Sequence, residues 1–400
     1  MKIAYYCRSL IWPAGPGVHA RALVSAWRAA GHEVLCLPVE PEPGSRAYSG
    51  CGVARLRLPR MPHWASAWGS LVKASARLIH LSGSTALALN AFQPDLLVAR
   101  RFQNDWVLDR LLRRAPCPYV AEVNAVLWRE RAELNGVTAA GAEVERENRF
   151  LLAAARCVCV TEEIGDQVQS AGVPPIKVLV APNGVDTQLF TPDVGRPQST
   201  EGLLRGRTPI VVFAGTGALT LDVRTMALAA SLILKSLPSV GFLFVGPSHG
   251  DLRDWGLARD VLEHSVATGP VAHEEVPAWL SVGDICWAAF LNSYGSPLKF
   301  AEYMAMAKPI VAACAGQAEE CIIAAGCGSA VERGDSRALA LEVCRLAESG
   351  AGVRNDLGAS GRAWVTQNRD WASVARLMIQ GMGSEGMTEV AEDAEPRVLR

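Results

Sequence analysis

The chain has 400 residues, 50% hydrophobic and 20% charged, enough for two or three cores rather than one. Its 39 Lys and Arg against 40 Asp and Glu leave a net charge of −1, which excludes a broadly basic nucleic-acid binder. Eleven cysteines without a Cys-x-x-Cys pair suggest neither a zinc ribbon nor a thioredoxin-type site, and the chain opens on a strand-like run rather than an apolar leader, so it reads as reduced and cytoplasmic.

In chain order, Ile3–Cys7, Glu33–Val39, Asp95–Ala99, Tyr119–Val123, Cys157–Thr161 and Lys177–Pro182 are continuous apolar runs, the pattern of strands covered on both faces. Helical stretches lie between them. Residues 19–30 place Leu23, Trp27 and Ala30 on one stripe, with Gly31 to end the helix. Leu189–Pro209 interrupts the alternation with Pro, Gly, Ser and Thr, as a linker would. The pattern then resumes with Pro209–Gly215, Gly241–Gly246, Asp284–Phe290 and Pro309–Cys314. The expected fold is therefore α/β with two parallel sheets, a single large sheet with an inserted loop being the alternative. Two such halves place a ligand outside the carboxyl ends of the strands, in a cleft. Trp371–Met382 is apolar enough for a packed helix, and Ser384–Arg400, with five acids, reads as a loose tail.

Three segments carry chemistry. The turn Ser9–His19 contains Gly15, Pro16 and Gly17 before a helix. Its backbone N–H groups suit an anion, although a tight turn without a ligand explains it equally and His19 could simply cap. The turn Asn292–Pro297 opens into a helix with Lys299 and, three residues on, Glu302. A phosphate could rest on the Leu298 and Lys299 N–H groups beneath the Lys299 ammonium, with Glu302 left for sugar hydroxyls; an i,i+3 ion pair on a solvated turn is the alternative. From 43 to 94 there are six cations, no acid, and Trp64, Trp68, Leu71 and Ile79 among them. Residues 55–80 could rest on anionic lipid, or their tryptophans could pack inward.

These residues resemble a known family. Gly15-Pro16-Gly17-Val18-His19 with Ala29-Ala30-Gly31-His32-Glu33-Val34 is similar to the N-terminal segment of family 4 (group 1) glycosyltransferases. So are Glu122-Val123-Asn124-Ala125 and Val180-Ala181-Pro182-Asn183-Gly184-Val185-Asp186 with Phe190. Ser296-Pro297-Leu298-Lys299-Phe300-Ala301-Glu302 with Lys308-Pro309-Ile310-Val311 resembles the donor signature in its Ser-Pro-x-Lys subtype.

The resemblance implies a GT-B fold of two Rossmann-like domains with parallel sheets facing a central cleft. It implies an acceptor-side domain over 1–190, a linker over 191–208, a nucleotide-sugar domain over 209–370 and a C-terminal helix, 371–383, packing back on the first. It implies that Glu302 holds the ribose hydroxyls and that the turn Ser296, Pro297, Leu298 and Lys299 holds the diphosphate, with Tyr294 and Gly295 also donor-binding. Gly215 would start the loop below the donor, Val271 would meet the base through its backbone, and Gly15 and Gly17 would close over the phosphate. Lys299, His19 and Asn124 take the catalytic roles.

Two departures stand out. Tyr294 occupies the place of a second glutamate that relatives often carry, and Gly215-Thr216-Gly217-Ala218-Leu219-Thr220 lacks the usual cations, the next being Arg224. The implied reaction is retaining transfer from a UDP- or GDP-linked sugar to a glycan, lipid-linked or small-molecule acceptor, without a cofactor and, there being no Asp-x-Asp, without a metal. No nucleic-acid partner is expected; peripheral contact with the inner face of the cell membrane through 55–80 stands beside inward packing of that segment as the alternative. A nucleotide-sugar epimerase of the same architecture and a catalytically weak binding partner are the rival readings.

Overall fold

A computed structural model describes residues 1–12, 15–37, 83–197, 204, 206–217 and 220–382. The 55–80 segment and the 384–400 tail lie outside them, as does part of the 191–208 linker. Among the described residues no helix is long and apolar enough to cross a membrane.

The chain folds as two compact units, one of Met1–Trp12, Pro16–Ala181 and the stretch from Ala372, the other of Pro182–Trp371. Each is built on a six-stranded parallel sheet. The first uses β1 (Lys2–Tyr6), β2 (Glu33–Leu37), β3 (Leu96–Arg100), β4 (Tyr119–Val123), β5 (Arg156–Cys159) and β6 (Val178–Val180), in the order β2-β1-β3-β4-β5-β6. The second uses β7 (Ile210–Ala214), β8 (Gly241–Val245), β9 (Ser265–Ala267), β10 (Ile285–Ala289), β11 (Ile310–Ala313) and β12 (Gly328–Val331), in the order β12-β11-β10-β7-β8-β9. That second order reverses direction between β7 and β10, a topological switch point that leaves a crevice at the carboxyl ends of the strands.

The continuous apolar runs are buried on both faces, as parallel strands covered by helices must be: β4, β8 and β10 are buried throughout. Two strands were not anticipated. Ser265–Ala267 is only three residues long, and three of the four residues of Gly328–Val331 are small, so neither gives an apolar run. The first helix spans Gly15–Ala29 rather than starting at 19. The glycine-rich segment is thus the first helical turn itself. Pro16 sits where its missing N–H matters least, and a Cβ on Gly17 would lie 2.0 Å from the Trp12 carbonyl oxygen. Gly17 is therefore required by backbone packing, whatever else it does.

The division at Pro182 assigns the Asn183–Phe190 segment to the second unit. There Val185 N donates to Arg369 O, and a Cβ on Gly184 would strike the Trp371 ring at 2.9 Å. The C-terminal helix Trp371–Ile379 joins the first unit, where Trp27 Nε1 donates to Ala375 O at 2.9 Å.

In the second unit the helix Leu298–Ala305 packs against the helix Gly350–Asn368. A Cβ on Gly358 would lie 2.0 Å from Ala307 O, whereas one on Gly352 meets nothing within 4 Å. Gly358→Ala is expected to lower the unfolding free energy by about 1–3 kcal/mol. Gly352→Ala is expected to raise it by up to about 1 kcal/mol through helix propensity. Urea unfolding of both variants checks the pair.

Candidate active site

In the second unit the strands β7 and β10 pair only through Val211 and Val212 and then part. Beyond that point Ala214 has no β10 partner, and Tyr303 fills the gap: its hydroxyl accepts from Ala214 N at 2.8 Å and lies 3.3 Å from Ala214 O. Tyr303 comes from the helix Leu298–Ala305, so this contact fixes the helix against the end of β7 just before Gly215. Gly215 has φ +155°, and a Cβ there would sit 2.9 Å from Lys299 Nζ and 3.0 Å from the Phe213 ring. Only glycine lets the loop lie this close to the ammonium.

Lys299 Nζ stands 4.6 Å from the centroid of Phe213 and 5.2 Å from that of Phe290, a cation–π cradle. Among the described residues no oxygen accepts a hydrogen bond from it. Burial lowers its pKa from 10.5 to about 8, with Glu302 pulling it back only in part. No side chain caps the start of its helix, so the first N–H groups add positive potential at the same corner. Ser296, at the approach to the helix, is clamped by Asn183: its hydroxyl accepts from Asn183 N at 3.1 Å and its carbonyl from Asn183 Nδ2 at 2.6 Å. At the helix's far end the Arg362 guanidinium donates to the carbonyls of Ala305, Phe190 and Thr187.

Glu302 lies on the same helix, its Oε1 2.8 Å from His273 Nε2. Val271, two residues before His273, packs against the core. Tyr294 is 4% exposed, so any donor contact it makes runs through its backbone or a sliver of its ring. Gly295 lies beside Asn292 in the same turn, with Pro297 as the residue before the helix and Leu298 its first residue.

In the first unit, buried polar side chains gather at the carboxyl ends of β1, β3 and β4. Glu122, its side chain 1% exposed, accepts from the Tyr5 hydroxyl at 2.7 Å; His19 Nε2 lies 2.9 Å from it and Arg100 Nη1 3.4 Å. Burial alone would raise the Glu122 pKa, but His19 and Arg100 outweigh it and hold the carboxyl at about 2. With its amide turned to the orientation that satisfies both its oxygen and its nitrogen, Asn124 accepts through its oxygen from both Nη atoms of Arg100 at 2.8 Å. Tyr6 donates to Asp105 at 2.7 Å, and Asp105 also caps the helix Trp106–Leu112.

Arg100 and Asn124 line a cavity of about 360 Å³ with Trp12, Phe102, Gln103 and Arg131. Trp12, 44% exposed, meets Phe102 edge-on at 5.7 Å. The other cations are already engaged: Arg101 with Asp109 at 2.6 Å, Arg131 with Glu143 at 2.9 Å. His19 is only 3% exposed and is not among the residues lining the cavity; its ring acts on Glu122. Gly15 and Gly17 are in the first turn of its helix. Among the described residues no group of three His, Cys, Asp or Glu side chains is placed to hold a metal ion.

Sequence reasoning singled out Lys299, Glu302, Gly215 and Asn124 but gave no role to Tyr5, Arg100, Phe213, Tyr303, His273 or Arg362. Tyr5 and Arg100 had a readable signal, polar groups within the strand segments of a buried parallel sheet. His273 and Arg362 had none, because their partners are distant in sequence.

Residues 14–184 match the Glycosyl transferase 4-like domain, and residues 208–349 match Glycosyl transferases group 1. A GDP-mannose-dependent alpha-(1-6)-phosphatidylinositol monomannoside mannosyltransferase of Mycobacterium tuberculosis is 28% identical over 221 residues. That match spans 52% of this chain and 56% of the mannosyltransferase, so the chain matches about half the length of this curated relative. Among solved structures, sucrose-phosphate synthase of Thermosynechococcus elongatus superposes with a TM-score of 0.71 at 18% identity, covering 95% of this chain and 98% of that one. Anabaena HepE in complex with UDP-glucose gives 0.69 at 16% identity, with 95% and 98% covered. At these identities the likeness is one of fold.

The Glu122 cluster makes stability depend on pH. Its carboxyl lies at about 2 in the folded chain against the ordinary 4.5, so its stabilisation is present above about pH 4.5 and drains away as pH falls towards 2. Glu122→Gln is expected to lose about 3–5 kcal/mol at pH 7, by leaving Arg100 and His19 facing a neutral amide. The variant also loses the part of the acid sensitivity between pH 4.5 and 2 that Glu122 contributes. Urea midpoints measured across that range check both effects.

Proposed function

This chain belongs to the group 1 glycosyltransferases, and on that premise we propose that it is a retaining transferase moving a sugar from a UDP- or GDP-linked donor to an acceptor hydroxyl in glycan or glycoconjugate assembly. The observation that carries the reading is the Lys299 ammonium: held between two aromatic rings, beside an uncapped helix start, with no acceptor among the described residues. A cation kept from water, with no acceptor in contact among the described residues and only a partial pull from Glu302, suits an incoming anion, and a diphosphate fits the span of Lys299, the Leu298 and Lys299 N–H groups and the Gly215 loop. Glu302 then takes the ribose hydroxyls, and the 269–271 backbone takes the base.

In the proposed reaction the bond from the sugar's anomeric carbon to the diphosphate oxygen breaks. The acceptor oxygen bonds to that carbon on the same face, and its proton passes to the departing β-phosphate. Negative charge grows on the phosphate, where Lys299 is already fixed, so the stabilisation needs little rearrangement. With the charge met by Lys299 and backbone N–H groups, the transfer is read as metal-independent. The first unit's cavity, with its Trp12–Phe102 edge and the Arg100–Asn124 pair, suits an acceptor rich in hydroxyls. His19 acts there by positioning Glu122. The choice of UDP or GDP and of a lipid-linked or glycan acceptor is supported by the mannosyltransferase that uses GDP-mannose and by the neighbour solved with UDP-glucose.

Release of nucleoside diphosphate from UDP- and GDP-sugars tests the reading. Lasting consumption of donor is expected; interconversion of donors without net release would instead make the protein an epimerase, and binding without turnover a binding partner. Lys299→Ala is expected to lower turnover by about a hundredfold or more, while Lys235→Ala, on an ordinary helix, leaves it unchanged. Because burial brings the Lys299 pKa down to about 8, affinity for UDP or GDP should weaken as pH rises past 8. Titration calorimetry between pH 7 and 9.5, with Lys299→Met as the variant that loses this dependence, checks the sign.

A further inference from the structure

Glu302 is not a free carboxylate. His273 Nε2 lies 2.8 Å from its Oε1, while Oε2 has no partner among the described residues. The histidine comes from a different part of the fold, the turn His273–Glu275 after β9, and that turn is fixed in its own right: Ala272 N donates to Glu275 Oε2 at 2.9 Å. The imidazole ring is held as well, packing against Phe190 with centroids 5.2 Å apart. Phe190 is 1% exposed, and its carbonyl is gripped by the same Arg362 that holds the end of the Glu302 helix at Ala305. Ala305, Arg362, Phe190, His273 and Glu302 thus form a chain of contacts that begins and ends on the Leu298–Ala305 helix. The Glu302 carboxylate can rotate little without breaking it.

A carboxylate that must accept from two vicinal hydroxyls needs a defined plane, since a freely rotating one loses orientation entropy on binding. We propose that His273 is a positioning residue for Glu302, fixing the carboxylate so that it reads the ribose diol of the donor and discriminates against 2′-deoxyribose. The proposal rests on the reading of this corner as the nucleotide site. His273 donates through Nε2, either neutral with its proton there or charged. Oε1 is thereby occupied on one side, and Oε2 and the remaining lone pair of Oε1 are aimed outward. A glutamine at 273 can bring an amide N–H to the place of Nε2; an asparagine is too short to do so.

The test is calorimetric, with UDP and GDP and their 2′-deoxy counterparts, on the full chain. Wild type should favour the ribonucleotide roughly tenfold or more, the range expected for a hydrogen bond to a charged group. Glu302→Ala should abolish that preference. His273→Asn should reduce it to about threefold or less, with His273→Gln retaining most of it, a rescue that a purely structural histidine would not show. If His273→Asn keeps the wild-type ratio while Glu302→Ala loses it, the proposal falls and the nucleotide site stands. If wild type binds none of the four nucleotides, or Glu302→Ala keeps the ratio, the reading of the corner itself falls and the proposal with it.

Discussion

The second unit is organised around one desolvated charge. An ammonium removed from water is costly unless something replaces its hydration, and around Lys299 the replacements are two aromatic faces rather than a carboxylate. A carboxylate in contact would stabilise the lysine more but would compete with any anion brought to it. The rest of the corner follows from holding the lysine in that state. Phe213 must lie next to the end of one strand and Phe290 just follow another, both beside the switch point; Gly215 must lack a side chain; Tyr303 must tie the helix to Ala214 where the ladder runs out.

The first unit uses similar groups to the opposite end. Glu122, Tyr5, His19 and Arg100 satisfy one another within 3.4 Å, and the carboxyl is driven to about 2. That cluster is a closed network: its charges are cancelled internally, and its product is the fixed direction of Arg100 and Asn124 at the cavity wall. Glu147 works similarly, accepting from the N–H groups of Leu127 and Trp128 at the start of the Leu127–Asn135 helix. The first unit therefore spends these polar contacts on rigidity, whereas the second leaves the buried Lys299 ammonium without a hydrogen-bond acceptor among the described residues.

Much of this was legible in the sequence, for physical reasons. Strands buried on both faces write continuous apolar runs, so ten of the twelve were readable; β9 and β12 were not, being too short or too rich in small residues to show one. Lys299 and Glu302 were readable because a helix places i and i+3 on one face. The partners of these residues were not. Nothing local connects His273 to Glu302, Arg362 to Phe190 or Tyr5 to Glu122; each pair is made by strand order and crossover, 29, 172 and 117 residues apart. The glycine-rich turn was read for its anion-binding capacity, yet the demand on Gly17 comes from the Trp12 carbonyl pressed against it.

The two departures from the usual donor signature bear on the same charge. With Tyr294 buried at the position where the resembled signature often has a second glutamate, and with Arg224 exposed at the start of the Val223–Ser236 helix, Lys299 is left as the cation built into the corner among the described residues. A site with several cations spreads the growing phosphate charge and tolerates the loss of one. A site with one concentrates it, so its protonation becomes decisive. The burial that lowers the Lys299 pKa to about 8 leaves the group mostly charged at neutral pH while keeping it poorly hydrated. Deeper burial would neutralise it, and shallower burial would surround it with water that, on the proposed reading, an incoming phosphate must displace. The position between Phe213 and Phe290 is the compromise between those two losses.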